Sequence, residues 1–205
     1  MVKQERAART RETLIRSAAE VFDREGFSAS SLSTISARAG VSNGALHFHF
    51  ASKAALADAV EEAALVRLLV VTDVAPAGSS RVQLLVDVTH GLVAALGADV
   101  VLRAGFELGG EVSRPPRADL RGQWQAWVDG VLKQADAEGE LRPETTARDA
   151  VTTVVAATVG FEALGSRDAT WLSAATITRF WRLLLPTLVP PALLGGLEAG
   201  GTRPR

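Results

Sequence analysis

The run Leu32 to Phe50, LSTISARAGVSNGALHFHF, constrains the fold more than any other part of the chain. Its spacing predicts two short helices meeting at a sharp angle. Ser31 stands where an N-cap accepts a hydrogen bond from the first free backbone amides. Ile35 and Ala39 are expected to face inward, and Ala37 is small enough for a close crossing. Gly40 supplies the left-handed turn that most side chains resist. Ser42 then caps the second helix, with Val41 and Leu46 at the two positions of a hydrophobic staple. A helix, a tight glycine turn and a second capped helix make a helix-turn-helix. Its second helix, here Asn43 to His49, is the one that enters a DNA major groove. Two unrelated bundle helices flanking a glycine would not also agree in caps, staple and turn.

Charge supports that reading only when its distribution is considered. The net charge of the 205 residues is −1, which by itself argues against nucleic acid. Residues 1–55, however, carry eight bases against five acids, and the remainder fourteen against eighteen. The basic end is the end with the helix-turn-helix, as phosphate binding requires. At 47% hydrophobic and 22% charged residues, the chain can bury a real core. It has no Cys, hence no disulfide framework, thiolate metal site or cysteine nucleophile. With no signal-peptide pattern, this favours a cytoplasmic location. The longest apolar run, Val151 to Leu164, is too short and too interrupted for a membrane span.

Periodicity elsewhere predicts helices and no strands, so the expected fold is all-α. A first helix runs from about Arg9 to Glu25, with Leu14, Ala18, Val21 and Phe22 on its apolar face and Gly26 at its end. A fourth, capped by Ser52, reaches about Val71 and serves as a connecting rod; Asp73 to Ser80 reads as a loop. Further helices are expected over Arg81–Leu96, Val100–Leu108, Asp119–Ala137, Thr145–Leu164 and Ala169–Leu185, with a loop at Gly109–Pro116. The expected division is a DNA-binding domain over 1–55, a ligand-binding and dimerisation domain over 56–189, and a flexible tail over 190–205. Val151 to Leu164 is apolar on nearly every face, which implies burial all round. That burial comes from the chain's own core or from a second subunit.

The segment GALHFHFASKAAL resembles the G-x-L-Y-x-H-F-x-x-K-x-x-L signature that closes the DNA-binding region of TetR-family repressors. Gly44, Leu46, His49, Phe50, Lys53 and Leu56 fall on it, and with Arg11 to Phe27 the resemblance covers roughly the first 60 residues. His47 stands where the family usually has Tyr, and the chain has no Tyr at all. The resemblance implies a homodimer formed through the last two long helices, bound to an inverted-repeat DNA operator. On this reading Asn43 reads a base and Gly44 allows close approach of the backbone. Ser42, His47, Phe48 and Lys53 hold phosphate and ribose. His49 belongs to the same set, Ser33 (with Ser30 and Thr34) adds phosphate contacts, and Arg11 lies on a basic arm from Lys3 that reaches an adjacent groove. Leu46 and Phe50 are expected in the core.

Val101 to Trp124 is similar to the γ-butyrolactone receptors, a subgroup of that family responding to diffusible signalling lactones. The similarity rests on Leu102-Arg-Ala-Gly105, on Arg114-Pro-Pro116 and on Trp124, eight residues beyond the second Pro. It implies a small apolar ligand lying against Trp124. A pseudo-receptor answering to an antibiotic, a biosynthetic intermediate or a furan-type signal is the alternative. The residues themselves show a heavy stripe, Trp124, Trp127, Val128 and Val131, beside a Gly/Pro loop where a mouth could open. Phe106 and Phe161 are possible neighbours. An apolar pocket needs only a few orienting polar groups, with Thr158 preferred and Gln123 and Thr89 as further candidates. Arg103 is expected to pair with Glu107 one turn on. An enzyme is the remote reading, for no nucleophile elbow, phosphate loop or dinucleotide fingerprint occurs. No cofactor or metal is expected: His47 and His49 point to different sides of a helix, and His90 stands apart.

Overall fold

The computed structural model describes residues 2–73 and 80–202, so most of the loop expected at Asp73–Ser80 lies outside the described residues. Every regular element described is helical. Packing divides the chain into two compact units, one of residues 1–67 and 99–120, the other of residues 68–98 and 121–205. Among the described residues no single helix is long and apolar enough to cross a membrane.

In the first unit, α1 (Val2–Ala29) begins seven residues earlier than periodicity suggests and is kinked at Gly26, whose φ of 77° is left-handed. Residues 3–8, KQERAA, are good helix formers without an apolar stripe, so propensity rather than burial starts the helix. The basic arm is therefore helical.

Next come α2 (Leu32–Arg38) and α3 (Asn43–His49), with the expected caps. Ser31 Oγ accepts from Thr34 N at 3.1 Å, and Ser42 Oγ from Ala45 N at 3.1 Å. Between them Gly40 has a φ of 67°, Gly40 N donates to Ala37 O, and Val41 N donates to Ser36 O. These two bonds form a Schellman closure, which satisfies the last free carbonyls of α2. Leu14, Phe22, Ile35, Leu46 and Phe50 are buried, whereas Ala37 is exposed and makes no close crossing.

The fourth helix, α4 (Lys53–Thr72), contributes its residues to Arg67 to this unit and the rest to the other. Against α1 packs α6 (Val100–Leu108). A Cβ on Gly105 would fall 2.2 Å from Ala64 Cβ, so only glycine permits this approach of α6 to α4. Arg103 pairs with Asp23 of α1, Nε donating to Oδ1 at 2.7 Å and Nη2 to Oδ2 at 3.1 Å, while the expected partner Glu107 adds its charge in support. A forked guanidinium meets a carboxylate best through two bonds, and Asp23 offers both.

The loop after α6, expected to border a mouth, is tied down within this unit. Arg114 is buried and clasps Glu61 through Nη1–Oε1 at 2.7 Å and Nη2–Oε2 at 3.2 Å, with Asp58 as a further partner. Glu61, 0% exposed, also accepts from Arg117 N. Both carboxylates lie on α4.

The second unit contains α5 (Arg81–Ala98), most of α7 (Leu120–Ala137), α8 (Ala147–Gly165), a 3-10 turn (Ala169–Leu172), α9 (Ala174–Leu188) and the short α10 (Pro191–Leu194). Glu140 caps α5, accepting from Arg81 N at 2.9 Å and Val82 N at 3.0 Å. The helix expected over Ala169–Leu185 is broken at Ser173, whose Oγ accepts from Thr176 N and starts α9 afresh. Helix α9 also runs past Pro186. Its last carbonyls find partners in the 142–145 segment: Arg142 N donates to Leu188 O and Thr145 Oγ1 to Thr187 O.

The C-terminal segment expected to fray is docked on α5. Gln83 accepts from Glu198 N at 2.7 Å and donates to Glu198 O at 3.2 Å. His90 Nε2 donates to Ala199 O at 3.0 Å, and Asp87 accepts from Thr202 N at 2.8 Å. Polar residues one turn apart on α5 thus hold a segment whose composition alone reads as a tail.

Candidate functional site

The first candidate site is the outer face of α3. Ser42, Asn43, Gly44, His47 and Phe48 are all exposed, His49 is half-buried, and Leu46 and Phe50 are turned into the core. Phe48 is 81% exposed and meets only the His49 ring edge-on, at 5.2 Å. A single exposed ring is common on protein surfaces; what counts here is that it shares an element and an exposed position with Asn43 and Gly44. At Gly44 an added Cβ would find only Ser42 Oγ, at 3.9 Å. Nothing within the chain requires glycine there.

Asn43 is held rather than free. Its Oδ1 accepts from Ser36 Oγ at 2.6 Å, across the turn, which fixes the amide plane before any partner arrives. Ser36 was not singled out from sequence, because a contact seven residues away across a turn has no periodic signature. Ser33 is exposed and shares its hydroxyl with Ser31 at 2.8 Å. Arg11 lies over the Phe50 ring at 5.3 Å and lines a cleft of about 660 Å³ with Arg9, Glu12, Arg16, Glu20 and Arg67.

Lys53 is engaged within the chain itself. Its ammonium donates to the carbonyls of Phe27 at 2.7 Å, Ser30 at 2.8 Å and Ser28 at 3.3 Å, and lies 4.5 Å from the Phe27 ring centre. An ammonium has three donors, and three acceptors are in place. Lys53 therefore ties the corner after α1 to the start of α4, a positioning role that sequence reading did not foresee.

The second candidate site lies between α7 and α8. Trp124 is 1% exposed, and its Nε1 donates to Thr158 Oγ1 at 2.7 Å, which in turn donates to Val154 O at 2.9 Å. Trp127 stacks on Trp124 with centroids 5.2 Å apart and an interplanar angle of 18°. One turn along, Arg121 donates to Glu162 at 2.9 Å, a second rung that sequence reading missed. Burial pushes the Glu162 carboxyl above its ordinary range, against the opposing pull of Arg121.

The other expected wall residues have surroundings of their own. Phe161 packs its ring on Phe180 at 5.5 Å and Trp171 at 6.4 Å, lining a separate cleft of about 490 Å³ with Arg179 and Leu183. Gln123 is exposed, Thr89 donates to Leu85 O within α5, and Phe106 belongs to the first unit.

These features define a helix-turn-helix regulator fold with a separate helical unit. Residues 14–60 match the family described as bacterial regulatory proteins, tetR family. The A-factor receptor protein of Streptomyces griseus is 29% identical over 209 residues, spanning 98% of this chain and 71% of that protein. CprB of Streptomyces coelicolor, a TetR family protein solved in complex with its biological operator sequence, is 30% identical with a TM-score of 0.79, covering 93% of this chain and 94% of that one. A solved γ-butyrolactone receptor described as ArpA-like is 29% identical with a TM-score of 0.79, over 95% of each chain. The chain belongs to the TetR family, and its relatives here are receptors and regulators rather than enzymes.

Proposed function

We propose that the chain is a cytoplasmic transcriptional repressor that binds an inverted-repeat operator as a homodimer and is released by a small apolar signal of the γ-butyrolactone class. The observation that carries this is the outer face of α3, where Asn43 is pre-oriented, Gly44 is sterically unneeded by the chain itself and Phe48 stands uncovered. Asn43 reads a base, Gly44 lets the backbone approach, and Ser42, Ser33, His47, Phe48, His49 and Arg11 engage backbone phosphate and sugar. The similarity to an operator-bound relative and to lactone receptors supports the reading.

Dimerisation is supported by an uncovered face on the last two long helices. On α8, Thr152, Ala156, Ala163 and Leu164 are exposed, and on α9 Leu183 is 80% exposed. The burial expected for this apolar helix is thus only half supplied by its own subunit. The functional division into 1–55, 56–189 and 190–205 is retained as part of this proposal, although the last segment is docked.

The test is a gel shift with the chain's own promoter fragment, followed by release with fractionated culture extract and mass-spectrometric identification of the active compound. A shift of an inverted-repeat fragment, reversed by a lactone-containing fraction, is expected. No shift of any genomic fragment overturns the reading. Sedimentation should show a dimer, and Val155→Asp should shift it toward monomer or aggregate, because an unpaired carboxylate in an apolar contact is costly.

A further inference from the structure

Trp181 carries an anomaly that the reading above does not use. It is 0% exposed on α9, and its indole nitrogen is buried with no hydrogen-bond partner. Buried donors are nearly always paired, and each exception calls for a reason. The contrast with Trp124 is direct, since that indole is satisfied by Thr158 at 2.7 Å.

The surroundings do not supply an acceptor. The buried face of α9 is Ile177, Trp181, Leu185 and Leu188, so the indole nitrogen is the one polar side-chain atom on it. Helix α9 packs against α5, whose buried polar side chains are Gln83 and Thr89. Gln83 serves Glu198 and Asp87, and although the Thr89 hydroxyl, which donates to Leu85 O at 2.6 Å, could still accept, neither side chain is hydrogen-bonded to the Trp181 nitrogen. A resident water would need two to four polar partners, which an apolar face does not give. The ring itself is held, with Phe180 edge-on at 5.1 Å.

We infer that the Trp181 N–H is a ligand-binding donor, placed to meet a carbonyl oxygen of a neutral, largely apolar effector of the acyl-lactone class. This deepens the proposed function and rests on its ligand-responsive part. A donor with no acceptor is a cost in the free protein and a gain once a ligand oxygen arrives, which gives selectivity for acceptor-bearing ligands over hydrocarbons. Neither a cation nor a carboxylate is indicated, because the donor is neutral and the face around it uncharged.

The test pairs two synthetic probes, a 2-acyl-γ-butyrolactone and the 2-alkyl tetrahydrofuran of equal chain length, which lacks both carbonyls. Affinities are measured by calorimetry on the full chain and on Trp181→Phe, which keeps a ring and removes the donor. The expected result is about tenfold weaker lactone binding in the variant, with the furan unchanged, corresponding to loss of one hydrogen bond. Thermal stability without probe should fall only modestly, the cavity left by the smaller ring being offset in part by removal of an unpaired donor. Equal lactone affinity in the two proteins overturns the inference. So does a wild type that shifts its operator but binds no lactone, an outcome that leaves the repressor reading intact. A wild type that binds the lactone through Trp181 but shifts no DNA sinks the repressor reading instead. Should Trp181→Phe fail to fold, the indole ¹⁵N–¹H resonance of Trp181 in the unmodified chain decides. A downfield shift with the lactone and none with the furan supports the contact, and no shift with either overturns it.

Discussion

The two compact units differ in how much polarity they bury and how fully they partner it. In the unit of residues 1–67 and 99–120, charges are taken inside and fully partnered: Glu61 with Arg114 and the Arg117 amide, Asp23 with Arg103, Lys53 with three carbonyls. In the other unit the interior is mostly apolar, with the Glu162–Arg121 pair as its buried charge, and of its two fully buried indoles one is satisfied and one is not. Satisfied buried charge demands a particular geometry, so the first unit is specified tightly. An apolar interior with a spare donor tolerates rearrangement and gains from an incoming acceptor. The difference matches the division of labour proposed above, a rigid reader and an adaptable receiver.

Breaking the charge network should produce the largest effect. Arg114→Met leaves the buried Glu61 carboxylate with only the Arg117 amide, and such a loss costs about 3–5 kcal/mol. Calorimetry should show a large fall in melting temperature, much of it regained in the Arg114→Met/Glu61→Met double variant, where no lone charge remains. If the single variant melts like the wild type, the first unit does not depend on its ion pairs and the contrast between units fails.

Lys53→Ala comes next. Losing three charged hydrogen bonds at the corner after α1 should cost about 1.5–3 kcal/mol of stability. The salt dependence of operator binding should keep its slope, because no phosphate contact is lost. A slope flattened by about one unit, with unchanged melting, would instead return Lys53 to the phosphates.

The same residue shows what the sequence could and could not convey. Caps, the Gly40 turn and the core positions Leu46 and Phe50 were legible because each depends on neighbours within a few residues. Arg103 with Asp23 is a pairing across 80 residues, Arg114 with Glu61 across 53 and Trp124 with Thr158 across 34. Local spacing carries no record of such pairs. For Arg103 it offered Glu107, whose charge does support the guanidinium, but not the distant Asp23, which takes two of its hydrogen bonds. Trp124 and Thr158 were each chosen on its own helix, for aromatic weight and for polarity in an apolar stretch, without any sign that they touch. Trp181 had no such signal, since a buried indole reads as core until its nitrogen is found alone.

On the reading face, Asn43→Ala should relax preference at one base position per half-site, with a discrimination loss of about 1–3 kcal/mol. Ser36→Ala offers a finer check on the same idea. It removes the 2.6 Å bond that orients the Asn43 amide, so it should soften the same base preference while leaving the other positions alone. Selection of operator variants by each protein reads both effects. Unchanged preference in Asn43→Ala would remove that residue from base reading and leave α3 to recognise shape and backbone.

The smallest effect concerns the one buried carboxylate whose charge burial opposes in the receiving unit. Glu162 has its folded-state value raised, chiefly by burial and in spite of Arg121, so the folded protein holds this proton where the unfolded chain has released it. Stability from this group is therefore fully present below the ordinary glutamate value of about 4.3 and declines as pH rises through the raised folded value. Glu162→Gln keeps the shape and removes the titration; Arg121 remains partly exposed and can be solvated. Relative to this variant, the wild type should lose stability as pH rises above the ordinary glutamate value, and the gap should level off once pH exceeds the raised folded value. Melting curves for both proteins across that range check it, the difference between them cancelling every other titrating group. Parallel curves would mean that Arg121 compensates the burial in full. The receiving unit would then pair its buried charge as completely as the reading unit does, leaving the Trp181 nitrogen as the unpaired buried side-chain donor among its described residues.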